Sequence, residues 1–336
     1  MKVLFINIII ICLFIAGCTD KPEIQSETLS ENTTIVDVRA LHDHEANKHI
    51  FELDKTEIES GWTTFRFNNL SDTDHFFLIF KVPDEAIEAA QQAGQPILDH
   101  WYQSITIPFQ EHFNPYVSGD IDYGTFVDNL VAEIFQTGPW FFEPGAPPMG
   151  GVGFTTVNKT ASTTVHLEPG EYVVECYVKD ENEEFHSYLG MLETFTVTDD
   201  RSESAQPEPD YSLTISSENG IQADWQAVAG EQIVEVFFED QTSYAHLLGH
   251  NVQLVKLIDK NNQNLLNNLA AWMDWTQPGS LVYKAPNGAE FIGGTMEMGE
   301  DSRAYLHLDL EPGDYAWIAE IPNPADHGML KTFTVQ

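Results

Sequence analysis

Basic residues are scarce. Lys and Arg total 15 against 53 Asp and Glu, leaving a formal net charge of -38 over 336 residues. Binding to a phosphate backbone or to anionic headgroups needs a cationic surface, so nucleic acid is excluded as a partner. Such acidity suits a solvated extracytoplasmic protein and says nothing about fold. Cysteine is scarcer still, with three in the chain, too few for a disulfide framework. A Gly-rich phosphate loop, an HExxH helix and a nucleophile elbow are all missing. Core material is not lacking. Apolar residues make up 42% and aromatics 12%, too much for a disordered chain and enough for about two domains.

The N-terminus is read as a targeting segment. Lys2 precedes an apolar run from Val3 to Ala16, interrupted only by Asn7. That is the charged start and apolar core of a secretory signal, too short for a membrane-spanning helix. The run ends Ile15-Ala16-Gly17-Cys18, which resembles the lipobox of bacterial lipoproteins. The resemblance implies cleavage before Cys18 and lipid on its thiol, tethering the protein to the cell envelope, at the outer membrane or cell surface of a diderm organism. An ordinary signal peptide with an incidental Cys is the alternative. Cys12 then leaves with the signal and Cys18 is consumed, so Cys176 stands alone and forms no intramolecular disulfide. A single thiol in an oxidising compartment is either buried and inert or bound to something.

Two polar stretches divide the rest. Residues 18–32 read as a flexible tether, and residues 199–210, acidic and rich in Ser and Pro, as a linker. The parts on either side share an ending. Leu167-Glu168-Pro169-Gly170-Glu171-Tyr172 and Gly190-Met191-Leu192-Glu193-Thr194-Phe195-Thr196-Val197 return as Leu310-Glu311-Pro312-Gly313-Asp314-Tyr315 and Gly328-Met329-Leu330-Lys331-Thr332-Phe333-Thr334-Val335. Gly150-Gly151 and Gly293-Gly294 precede their Pro-Gly turns by the same distance. A duplicated domain is expected, over 33–198 and 211–336. Alternation in Trp62–Asn68, the apolar run Phe76–Val82 and strands Thr163–Leu167 and Tyr172–Val178 predict an all-β fold with short helical insertions, as two tandem Greek-key β-sandwiches. Helices are predicted from Pro83-Asp84 to Gln92, over Tyr123–Phe135 and over Asn262–Trp275.

Four residues of the first part are of metal-binding type. His75 opens an apolar strand after the polar turn Asn69-Leu70-Ser71-Asp72-Thr73-Asp74, and Cys176, His186 and Met191 follow as C-x9-H-x4-M. Strand alternation points Cys176 inward with Val174 and Val178. Two imidazoles, a thiolate and a distant thioether are the donors of a blue copper site. Here the sequence resembles the cupredoxins, in both parts from about Thr33 onward. The resemblance implies one copper in the first domain, held by His75, Cys176, His186 and Met191. His186-Ser187-Tyr188-Leu189-Gly190-Met191 is similar to the H-x3-G-M run of copper nitrite reductases, whose Cys–His loop is also long. The loop Tyr177–Phe185 carries Asp180, Glu181, Glu183 and Glu184, an acidity expected to lower the potential. A buried structural Cys beside a surface His is the competing reading.

The second part lacks the thiolate, because Ala319 stands where Cys176 would fall. His250, His327 and Met329 leave at most a weak, colourless site. His42, His44 and His49 are read as a solvated strand without a further fixed ligand, and His100 and His112 as packing or surface residues. Glu175 stands where copper nitrite reductases and multicopper oxidases place a relaying His, so no enzyme of that class is expected. The expected function is a lipid-anchored copper-binding protein that transfers electrons to an unidentified redox partner or carries the metal. A metal-free scaffold lipoprotein is the alternative, and a copper-dependent oxidoreductase a more distant one.

Overall fold

The computed structural model describes residues 33–142, 145–223 and 226–336. The expected signal peptide, Cys18 and the tether lie outside them. The first half contributes β1 (Thr34–Asp43), β2 (Lys48–Leu53), β3 (Glu57–Asn69), β4 (His75–Lys81), β5 (Pro148–Thr155), β6 (Thr160–Leu167), β7 (Gly170–Glu175) and β8 (Leu192–Arg201). The second contributes β9 (Tyr211–Ser216), β10 (Gly220–Gln222), β11 (Gly230–Phe238), β12 (Val252–Leu257), β13 (Ala289–Thr295), β14 (Arg303–Leu310), β15 (Gly313–Ile318) and β16 (Leu330–Val335).

These strands do not make two separate tandem sandwiches, and that expectation is corrected. They join in one 16-stranded system, in the order β10-β9-β11-β14-β6-β3-β8-β7-β4-β5-β13-β12-β15-β16, with β1 pairing with β2 and β3. Its two ends nearly meet, since Ile221 N donates to Gly328 O at 3.1 Å. Two junctions fuse the halves. β6 runs antiparallel to β14, with Thr163 opposite Leu306, Ser162 opposite His307 and Thr164 opposite Tyr305. β5 meets β13 at Thr155–Ile292, and Met149 bridges to Met298. Gly170 and Gly313 lie 143 residues apart. Under that offset Thr163 corresponds to Leu306, and the Thr155–Ile292 and Met149–Met298 pairs exchange places. The junction is therefore organised about a local pseudo-twofold axis. Alternation in a sequence shows which face of a strand is apolar but not which edge finds a partner, and unpaired edges are where strands add.

The core is continuous across the junction. The Phe154 ring lies 4.9 Å from Phe76 in its own half and 4.9 Å from Phe291 in the other. Paired glycines allow the close strand approach on both sides. A β-carbon on Gly151 would stand 1.9 Å from Phe77 O, and one on Gly294 would stand 2.2 Å from Val252 O.

Helices α1 (Asp84–Ala93), α2 (Ile97–Trp101), α3 (Ile107–Val117) and α4 (Tyr123–Thr137) fill the first half's insertion, and α5 (Gln263–Trp272) its smaller counterpart. Gly94, at φ 68°, ends α1 by donating its N–H to Ala90 and Gln91. The Asp122 carboxylate caps α4 at Thr125 N, and the Asn262 amide oxygen caps α5 at Leu265 N. Between α2 and α3 the chain takes a π-helical turn over Tyr102–Thr106. Pro108 has no N–H to offer Ser104 O, and that carbonyl instead accepts from Thr137 Oγ1 at 2.8 Å.

The stretch expected as a linker is held at several points. β8 runs on to Arg201, Ser202 N donates to Ser60 O at 2.9 Å, and Asp210 N donates to Ile233 O at 2.9 Å. Gln206 hydrogen-bonds the Tyr305 hydroxyl. A protease cut within residues 203–209 is therefore expected to leave both pieces together on native size-exclusion chromatography, separating only in denaturant. Elution of two independent native fragments would contradict the shared sheet.

Candidate metal centre

His75 is placed by the turn that precedes it. Asn69 Nδ2 donates to Thr73 O at 2.8 Å and to Thr155 O at 2.7 Å. Asp74 is buried and accepts from Ala285 N at 2.8 Å and Val157 N at 3.3 Å, tying the turn to the second half. Burial outweighs these donors and pushes the Asp74 carboxyl up to about 6. β4 then starts at His75 itself.

The nine residues between Cys176 and His186 do not splay. They fold back as a small hairpin, with Lys179 bridged to Phe185. The Asp180 carboxylate closes its turn by accepting from Asn182 N at 2.8 Å and Glu184 N at 2.9 Å. His186 N donates to Val178 O at 2.7 Å, Ser187 N to Cys176 O at 2.8 Å and Met191 N to His186 O at 2.7 Å. Cys176 N donates to Met191 O at 3.3 Å. This ladder brings the three sequence-distant residues side by side.

The helical insertion and the second half clamp the hairpin from outside. Gln110 Oε1 accepts from Phe185 N at 2.7 Å, and the Phe113 ring lies 4.9 Å from Phe185. Lys179 is fully buried. Its Nζ lies 2.7 Å from Glu183 Oε2 and 4.7 Å from the Phe113 ring centre, and donates to Trp275 O at 3.2 Å. Alternation aims Cys176 inward, yet the opposite face is covered as well.

His75 Nδ1 lies 3.5 Å from Cys176 Sγ and 3.2 Å from His186 Nδ1. All three side chains are buried, as is Met191. Nitrogen donors about 2.0 Å and a thiolate about 2.3 Å from a common ion, at angles of roughly 105–110°, stand about 3.2 and 3.5 Å apart. The residues present fit a metal of the copper type. Burial first, then neighbouring imidazoles, holds the His75 and His186 pKa values well below the ordinary range, so both rings are neutral and available as donors. Burial also pushes the Cys176 thiol up to about 12, so metal binding must displace its proton. Of the two His75 nitrogens it is Nδ1 that faces Cys176 Sγ and His186 Nδ1.

His49, set aside in the sequence, joins this group. Its ring stacks on His186 at 3.7 Å and 16°, and its N–H donates to Leu189 O at 3.2 Å. His49, His75 and His186 each offer a nitrogen within 4.8 Å of the others. Only the β1–β2 pairing, which sets His42 opposite His49, carries it there.

At the corresponding place in the second half, His250 is engaged by its neighbours. His250 is buried, but Tyr244 OH meets its Nδ1 at 3.2 Å and its Nε2 bonds to Asp240 O at 3.0 Å. The same hydroxyl lies 3.9 Å from Met329 Sδ. His327 is exposed. Among the described residues, neither metal-type cluster includes His250 or His327. His112 pairs with Glu133 at 2.5 Å on the insertion, and the His100 ring lies 5.9 Å from the Trp140 ring.

No protein-family model matches the sequence, and no curated protein matches it. Among solved structures the chain is similar to auracyanin B, at 13% identity over 39% of this chain and 93% of that one, with a TM-score of 0.27. It is also similar to reduced auracyanin from the photosynthetic bacterium Roseiflexus castenholzii, at 16% identity, 37% and 94% coverage and a TM-score of 0.26. A multicopper oxidase shares 11% identity over 92% of each chain at a TM-score of 0.22. Likenesses this loose carry no argument. The donor geometry has to stand by itself.

Below Cys176 the junction buries a group of acids. Tyr177 OH donates to Glu320 Oε2 at 3.0 Å, and Asn251 Nδ2 reaches Glu320 at 3.2 Å and Glu297 at 3.4 Å. Burial raises the pKa of both glutamates, and the charge of Glu297 raises Glu320 further. A carboxyl raised in the folded state stabilises fully below its unfolded value of 4.5 and loses that contribution as pH climbs through the folded value. Glu297→Gln, which cannot ionise, is expected to match the parent at about pH 4 and to exceed its stability by roughly 1–3 kcal/mol at pH 8. Denaturant melts at the two pH values test this. An equal offset at both would mean that Glu297 does not ionise differently on folding.

Proposed function

We propose that this protein is a cupredoxin-like copper-binding electron carrier of the cell envelope. The observation that carries this reading is the approach of His75 Nδ1 to both Cys176 Sγ and His186 Nδ1 in a buried site, at two separations that each suit ligands of one metal ion. A bound copper supplies one-electron redox chemistry, with thiolate and imidazoles as strong donors and a thioether as a weak one. The chain's own residues do the rest. The backbone ladder from Cys176 to Met191 holds the donors, Phe113 and Trp275 pack against Phe185 of the hairpin, and burial excludes water from the thiol. Glu175, beside the ligand cysteine, offers no imidazole to a second copper, which favours a carrier over an oxidase.

The lipobox supports a lipid anchor at Cys18, with residues 18–32 as tether. The symmetric pairing at the junction supports descent of the two halves from one duplicated domain, in which the second lost its thiolate and filled the gap with Tyr244.

Titration of the protein from Thr33 to Gln336 with Cu(II) is expected to give an intense visible band from thiolate-to-copper charge transfer. Cys176→Ser abolishes it, because a hydroxyl is too hard and too weakly basic a donor. His186→Ala weakens or bleaches it, and Met191→Leu keeps the colour and raises the potential. Absence of copper uptake, or equal uptake without Cys176, returns the protein to the scaffold reading.

A further inference from the structure

The hairpin that supplies His49 carries a second group of donors at its open end. His42 and His49 are opposite each other on β1 and β2, with rings stacked at 4.2 Å and 15°. His44, in the turn, brings its ring within 4.1 Å of His42. The ligand missing from the sequence reading comes from another element. Asp72, three residues before His75, places Oδ1 at 2.9 Å from His42 Nδ1 and Oδ2 at 3.9 Å from His44 Nε2. Donor atoms of all three lie within 4.8 Å of one another.

His42 and Asp72 of this cluster and His186 of the buried centre line one cavity of about 70 Å³, together with His49, Asp180 and Glu181. His44 is exposed and Asp72 half-exposed, whereas His186 at the other end is buried. Between them stand two buried nitrogens without partners, His42 Nε2 and His49 Nδ1. Buried polar atoms of this kind are uncommon and call for an occupant or a function. Three carboxylates on the wall, on a chain of net charge -38, concentrate cations at the mouth.

We propose that His42, His44 and Asp72 form a second metal site, a loading port that takes Cu(II) from solution and passes it by way of His49 to the buried donors. Two imidazoles and a carboxylate suit divalent copper, and without a thiolate the port is nearly colourless. Transfer is a ligand exchange in which each new copper–ligand bond replaces the one behind it. The last, to Cys176 Sγ, forms as the thiol proton passes to the imidazole nitrogen the metal has just left and from there to water. The hand-off rests on the copper reading of the buried centre; the port itself does not.

The test is Cu(II) alone, added to the full chain and to its His44→Ala and Asp72→Asn variants, whose altered side chains lie at the surface. Bound copper is counted by equilibrium dialysis, and colour is followed by stopped flow at substoichiometric metal. The parent is expected to bind two equivalents, one coloured. Each variant keeps the coloured equivalent, loses the other and colours at least tenfold more slowly. A parent that binds the coloured equivalent alone, or unchanged colour kinetics in both variants, overturns the port. A colourless equivalent that disappears in His44→Ala, in a parent that never colours, retains the surface site and removes the blue centre, so the two failures read differently.

Discussion

The pairing of β6 with β14, seconded by β5 with β13, is the constraint on which the rest of the structure depends. In an isolated half each of these strands would present a free edge. Joining them hides the edges from further strand addition. It also buries Lys179, Glu297 and Glu320, whose charges then have to be matched or suppressed locally. The Lys179–Glu183 contact, the carbonyl of Trp275 and the Tyr177–Glu320 hydrogen bond are the local answers.

The metal centre inherits its rigidity from that junction. A nine-residue excursion between two ligands loses conformational entropy that a short loop never has. Here it is folded into a hairpin, roofed by the helical insertion and bridged by Lys179 to Val282 of the second half. The second half, without a thiolate of its own, thus serves as a wall for the first. At its own corresponding place the Tyr244 hydroxyl reaches both His250 and Met329.

The histidines form one graded series. His75 and His186 sit in full burial, where stripping water from a charged ring is too costly and neutrality is enforced. His49 comes next, its pKa lowered to about 4 chiefly by the same burial, and His44 ends in solvent. A chain of neighbouring imidazoles, stacked in its middle, runs from water to a thiol and gives a cation donors of one chemical kind along its course.

Much of the site was legible in the sequence, because each donor sits where local rules place it. A His after a polar turn opens an apolar strand, a Cys falls at a strand end, and H-x4-M follows. Strand alternation, the capped helices at Asp122 and Asn262 and the repeated Leu-Glu-Pro-Gly turns are local as well. What the sequence could not decide was every partnership between distant edges: that β6 pairs with β14 rather than with solvent, that Asp72 turns toward His42, and that His49 stacks on His186. Hydrophobic periodicity encodes the face a strand buries, not the neighbour it meets. Edge pairing and ring stacking are settled only when the whole chain has collapsed around one core.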